Sequence, residues 1–182
     1  MKDLKKYVLL AFPVAIMAIL FIFSSQPYHE QDLRPTMNAW FDLEPLRPLL
    51  EPVSIPYQGD RITLESHGVA GLIEFIIRKS AHFFIYFALM IAVFLTLKEW
   101  WRTKLIHLLT ASFLFTIAYA ASDEYHQSLT PNRTPYVGDV ILDGVGALSA
   151  GLLIGLVYWR RKSVRQKEKN PKTKFSSTTF EN

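Results

Sequence analysis

The 182-residue chain has no cysteine, which excludes disulfides, thiol chemistry and a cysteine-built zinc site. Charge is missing from long stretches. Residues 7–23 carry none at all, and residues 140–159 carry only Asp143. No sequence unit repeats, and nothing suggests a second domain. The basic excess is small, +4 overall, and it comes from the C-terminal tail, so it does not point to nucleic acid. What is present instead is apolar mass: half the residues are hydrophobic and 14% are aromatic, high for a soluble domain of this size.

Four runs are long enough to cross a hydrocarbon core: 7–23, 81–97, 105–122 and 140–159. Lys2, Lys5 and Lys6 precede the first run, Lys98, Arg102 and Lys104 follow the second, and eight Lys or Arg lie between Arg160 and Lys174. With four crossings all three groups fall on one side, which predicts cytoplasmic termini. Trp100, Trp101, Tyr158 and Trp159 then mark the cytoplasmic interface. A cleaved signal peptide is the competing reading of the first run, but the run exceeds a typical signal core, and Phe23 before Ser25 breaks the small-residue cleavage pattern. The expected architecture is an all-α, multi-pass protein of the cell membrane with four transmembrane helices in residues 1–159. A basic, unstructured cytoplasmic tail covers 160–182 and lies against the anionic inner leaflet. The external segment, 24–71, contains six prolines that exclude a long helix, and pieces such as "MNAWFDLEPLRPLL" suit short interfacial helices.

This topology gathers the unusual polar residues at the outer mouth. The start of the second run supplies Glu74, Arg78, Lys79, His82 and Tyr86; the end of the third supplies Asp123, Glu124, His126 and Gln127. The connecting loop adds Arg133, and the fourth run opens with Asp139 and Asp143. Arg78, His82 and Tyr86 share a helix face, as do Asp123 and Gln127. Asp139, Asp143, Ala147, Gly151 and Gly155 form a row whose small members allow close helix approach, so both aspartates should point into the bundle. Ionisable groups at membrane depth are costly and by default pair, face a cavity or serve a function. Glu74, Asp123, Glu124, Asp139 and Asp143 outnumber Arg78, Lys79 and Arg133 by two charges. Protonation of His82 and His126, one divalent cation or a protonated carboxyl would close that gap.

Each candidate has two readings. Asp139 and Asp143 either hold a divalent cation through oxygen or form salt bridges that fix helix register, and the single pair is too few donors to make a cation cofactor the choice. His82 either transfers protons, with Asp123, Glu124 or Asp139 orienting it, or makes an interhelical hydrogen bond. Arg78, Lys79 and Arg133 recognise an anion or reach for headgroups. His126 is a ligand contact or a surface histidine, and Gln127 extends the Asp123 face.

The stretches "RKSAHFFIY", "DEYHQSLTPNR" and "GDVILDGVGALSAG", in this order among four hydrophobic runs and with "SSQP" after the first, resemble the VanZ-like family of bacterial membrane proteins. The likeness covers about Tyr7 to Trp159, and the recurrent polar positions correspond to Lys79, His82, Asp123, Glu124, Gln127, Arg133 and Asp139. The pattern is departed from at Asp143, where asparagine is frequent, and at Asn132, where a glycine precedes the arginine. The resemblance implies a role in the cell envelope and low-level tolerance of glycopeptides such as teicoplanin; it implies no settled reaction. Three functions follow. The chain binds an anionic envelope component, a cell-wall precursor or a lipoglycopeptide. Alternatively it is an enzyme using His82 and carboxylates on a lipid-linked cell-wall intermediate. The third, a transporter, ranks last, because the charges stop at the outer mouth.

Overall fold

The computed structural model describes residues 2–131 and 133–169. Its elements are α1 (Lys2–Ser24), α2 (Arg34–Trp40), α3 (Arg47–Leu50), the strands β1 (Ser54–Tyr57) and β2 (Asp60–Thr63), then α4 (Leu64–Trp100), α5 (Leu105–Ser128) and α6 (Val137–Lys169). Four of these, α1, α4, α5 and α6, are long and apolar enough to cross a membrane. Their outer faces carry exposed large apolar side chains, among them Phe21, Phe84, Leu114 and Leu152. A surface this apolar suits hydrocarbon rather than water.

Helix α4 is the centre of the bundle and packs against the other three. A cluster of Leu20, Tyr86, Leu89, Val93 and Ala120 joins it to α1 and α5, and Met90, Ala147 and Ala150 join it to α6. Helices α4 and α6 run parallel, since Lys79 meets Asp139 near their starts and Phe94 meets Tyr158 near their ends. Their closest approach is at Gly146, where an added Cβ would stand 2.4 Å from the Phe83 carbonyl oxygen. Of the small-residue row expected to face inward, Asp143 and Ala147 are buried and Gly151 lies against Met90, whereas an added Cβ at Gly155 would meet nothing.

Pro13 sits inside α1 and has no N–H to offer the Leu9 carbonyl. Thr96 of α4 offers a donor in its place, its Oγ1 lying 2.8 Å from that oxygen and 2.9 Å from the Ala92 carbonyl oxygen of its own helix, so one proton is shared between the two. The interhelical bond therefore repairs the ladder that proline breaks, as neighbours do in membrane bundles.

The four-helix expectation stands, with one addition and two corrections. In the segment between α1 and α4, β1 and β2 form an antiparallel hairpin with Ser54 opposite Thr63 and Tyr57 opposite Asp60. Its turn, Gln58–Gly59, has φ of 52° and 90°, the twist that closes a two-residue hairpin. Helix α4 starts at Leu64, well before the apolar run, so the connecting segment ends at Thr63 rather than residue 71. Thr63 caps it in a reciprocal box with Ser66, and Gly68, at φ 67°, bends its first turn. From 69 to 100 the helix is about 48 Å long at 1.5 Å per residue, which exceeds a ~30 Å hydrocarbon core. Its first turns, with Glu74, Arg78 and Lys79, thus extend beyond the apolar run. Finally α6 continues through Arg160 to Lys169, so the first ten residues of the basic tail are helical. Residues 170–182 and Asn132 lie outside the described residues.

Candidate functional site

At the end of the bundle where α1 stops and α6 begins, the segment between α1 and α4 folds over the helices and closes a cavity of about 440 Å³. Arg78, Lys79, His82 and Glu74 of α4, Gln127 of α5, Arg133 and Thr134 of the α5–α6 loop and Asp139 of α6 line it. The roof comes from residues that helical spacing gives no means of finding: Tyr28, Gln31, Arg34, Tyr57 and Gln58.

Two ion-paired clusters build the walls. In the first, Glu74 is 2% exposed and takes Arg78 at 2.6 Å and Arg34 at 3.4 Å, with the Tyr28 hydroxyl donating at 3.3 Å. Asp32 holds Arg34 in place from the other side at 2.7 Å. The Arg34 hydrogen bonds keep the Asp32 carboxyl near pKa 2, at about 2, below its ordinary 3.8. The Arg78 guanidinium lies 4.4 Å from the centre of the Tyr28 ring, so that ring supports the cation as well as the carboxylate. In the second cluster Lys79 Nζ donates to Asp139 Oδ1 at 2.6 Å and the Tyr57 hydroxyl to Asp139 Oδ2 at 2.9 Å. Burial, then the Asp139 charge, push the Tyr57 hydroxyl above its usual pKa, so it stays a donor. Gln58 ties the hairpin turn to the Thr134 carbonyl at 2.9 Å.

Arg133 spans the cavity between elements far apart in sequence. Its Nη1 donates to Gln127 Oε1 at 2.9 Å and its Nη2 to Gln31 Oε1 at 2.6 Å, while its buried Nε has no partner among the described residues. Burial, and after it the neighbouring Arg78, push the guanidinium below its ordinary pKa.

The remaining sequence candidates do not line the cavity. Asp123 is buried behind it, accepting from Ser24 Oγ of α1, from the Tyr86 hydroxyl at 3.2 Å and from Gln127 Nε2 at 3.1 Å. These three bonds join α1, α4 and α5 through one carboxylate. Glu124 accepts the backbone N–H of Tyr136 and so anchors the entry to α6. His126 stacks on Phe21 of α1 with ring centres 4.3 Å apart, turned away from the other candidates. Asp143 is 4% exposed and faces His82, with Oδ1 and Nδ1 3.6 Å apart. That separation is too long for a hydrogen bond. Both atoms are buried and neither has another partner among the described residues.

The charge count changes accordingly. The cavity wall holds Arg34, Arg78, Lys79 and Arg133 against Asp60, Glu74 and Asp139, and Asp32 neutralises Arg34 from the other side, so the charges balance where the sequence suggested a negative excess. Arg34 and Asp32 enter together as a pair, and Asp123, Glu124 and Asp143 are withdrawn into the packing. Asp139 and Asp143, four residues apart, turn to different partners, and no group of three or more His, Asp or Glu among the described residues is arranged to hold a metal ion.

Beside the cavity an apolar groove of about 510 Å³ runs between α4 and α6, lined by Ile76, Phe83, Phe84, Tyr136 and Leu142. It shares Tyr57, Phe75, Lys79 and Asp139 with the polar cavity. The second cluster is therefore the partition between a charged chamber and a surface suited to a lipid chain.

No curated protein and no solved structure matches the chain. Residues 9–158, which include all four long helices' apolar runs and both charged clusters, match the VanZ/LLP1 family. The chain belongs to the VanZ/LLP1 family.

Proposed function

We propose that this VanZ-like membrane protein binds the anionic headgroup of a lipid-anchored envelope component in its polar cavity, on the outer side of the bacterial cell membrane. One observation carries this reading: four cations, one of them Arg133 with its guanidinium held only by amide oxygens among the described residues, line a chamber that adjoins an apolar groove. Arg supplies the planar, two-pronged donor that suits phosphate or carboxylate, and the unsatisfied Arg133 Nε is a donor awaiting an acceptor. The outward orientation is supported by the position of Lys2, Lys5, Lys6, Lys98, Arg102 and Lys104 at the opposite end, which belongs inside by the positive-inside rule. Low-level tolerance of teicoplanin is the consequence, through altered access of the glycopeptide to the component that the cavity holds.

The test is teicoplanin susceptibility of cells expressing R133Q or R78Q, with the protein's membrane level measured in parallel. Loss of tolerance at normal abundance is the expected result. Unchanged tolerance in both variants contradicts the proposal.

The geometry of His82 favours one second reading, an enzyme acting on a lipid-linked cell-wall intermediate. His82 lines the cavity, and a carboxylate oxygen of the buried Asp143 lies 3.6 Å from its Nδ1, close enough to orient the ring once the two draw together. In this reading His82 moves the proton, Asp143 positions it, and the four cations hold the charged group. An enzyme leaves an altered product whereas a binder need not, so the lipid and precursor profiles of cells with and without the protein separate the two. A changed profile that reverts with H82Q selects the enzyme; identical profiles select the binder.

A further inference from the structure

The opposite end of the bundle has a second basic cavity, of about 450 Å³, between the last turns of α4 and the extension of α6. Lys98, Tyr158, Arg161, Lys162, Arg165 and Gln166 line it, four cations with no carboxylate among them. We infer that this seam is a binding site for the headgroup of a phospholipid that carries two phosphates. The site does not depend on what the polar cavity binds.

Three features lead there. Arg161 and Arg165 stand four residues apart on one face of α6, a like-charge spacing that is unfavourable unless an anion bridges it. Lys98 reaches across from α4 and lies over the Tyr158 ring at 5.1 Å, which fixes the third cation opposite the first two. Lys5 is engaged with Glu99 at 2.6 Å and Lys6 over the Trp100 ring, while none of the four cavity cations makes an ion pair among the described residues. The charge gathered in the seam exceeds what one phosphate neutralises.

Depth distinguishes a lipid from a soluble anion. Lys98 and Arg161 lie within two residues of the exposed Trp100 and Trp159, rings that mark the headgroup level. One turn before Lys98 on the same helix, Leu95 is exposed and apolar, at a depth suited to acyl chains. Basic pockets between transmembrane helices near this interface take diphosphate and polyphosphate lipid heads.

The test uses the full-length protein in mild detergent, exposed to equimolar tetraoleoyl cardiolipin and dioleoyl phosphatidylglycerol, with retained lipid counted by native mass spectrometry. Wild type should keep cardiolipin at least tenfold over phosphatidylglycerol. K98Q/R165Q and, separately, R161Q/K162Q should lose that preference while unfolding at the wild-type temperature without lipid, and K5Q/K6Q should keep it. Equal retention of both lipids, an unaltered preference in both cavity variants, or loss in K5Q/K6Q overturns the site. Displacement of cardiolipin by millimolar inorganic pyrophosphate overturns the assignment to a lipid.

Discussion

The two ends of the bundle are both basic, yet they handle charge in opposite ways. At the cavity end every cation has a fixed carboxylate or amide partner, and the site is tied together across distant elements: Lys79 to Asp139, Gln31 to Arg133, Tyr57 to Asp139. At the other end the cations of α6 stand in an open row on a single helix. The difference teaches that basic residues alone do not define a site. What separates the ends is burial with mutual pairing, which rigidifies a chamber, against exposure, which leaves charge available to a membrane surface.

Substitutions should break this contrast in graded fashion. The largest effect is expected for Glu74→Gln, because two guanidiniums then lose their buried counter-charge; removing one partner of such a pair costs about 3 to 5 kcal/mol. Thermal unfolding in detergent measures it. Asp123→Leu removes the acceptor shared by Ser24, Tyr86 and Gln127 and should cost about 2 to 3 kcal/mol, with α1 released first in hydrogen exchange. Thr96→Val strands the Leu9 carbonyl opposite Pro13, for about 1 kcal/mol in the same assay. Arg161→Gln at the open end should leave stability unchanged.

The smallest effect is a pH dependence at the roof. The Asp32 carboxyl titrates at about 2 in the fold, below its ordinary 3.8, so its contribution is complete above 3.8 and is lost as pH falls towards 2. The protection of the Arg34 backbone amide, which Asp32 accepts at 2.9 Å, measured relative to its intrinsic exchange rate at each pH, should therefore fall over that window as pH is lowered and be constant above it. An Asp32→Asn variant should remove the dependence.

Much of this arrangement is legible in the letters. The four apolar runs all become helices, and Arg78, Lys79, His82, Gln127, Arg133 and Asp139, placed together by topology, do line one cavity. The hidden part has a common physical cause. Spacing rules act within one element, whereas the roof residues meet their partners across separations such as 46 residues for Tyr28 with Glu74 and 82 for Tyr57 with Asp139. The hairpin that delivers Tyr57 carries only a short local signal, Ile55 and Tyr57 alternating before "QGD", and Pro52 and Pro56 within the same stretch weaken it. Asp139 and Asp143 were legible as one face and yet serve different partners, because on the parallel helix α4 Lys79 and His82 rise in step with them.

The central claim is that the paired chamber, and not basic charge at large, receives an anionic amphiphile. Calorimetric titration of the detergent-solubilised protein with farnesyl phosphate, with farnesol as the uncharged counterpart, tests it most directly. Saturable 1:1 binding of farnesyl phosphate, at least tenfold weaker for R78Q and R133Q and unaltered for R161Q, with no binding of farnesol, is the predicted result. Equal binding of the two compounds, or equal weakening by R161Q, would contradict the account.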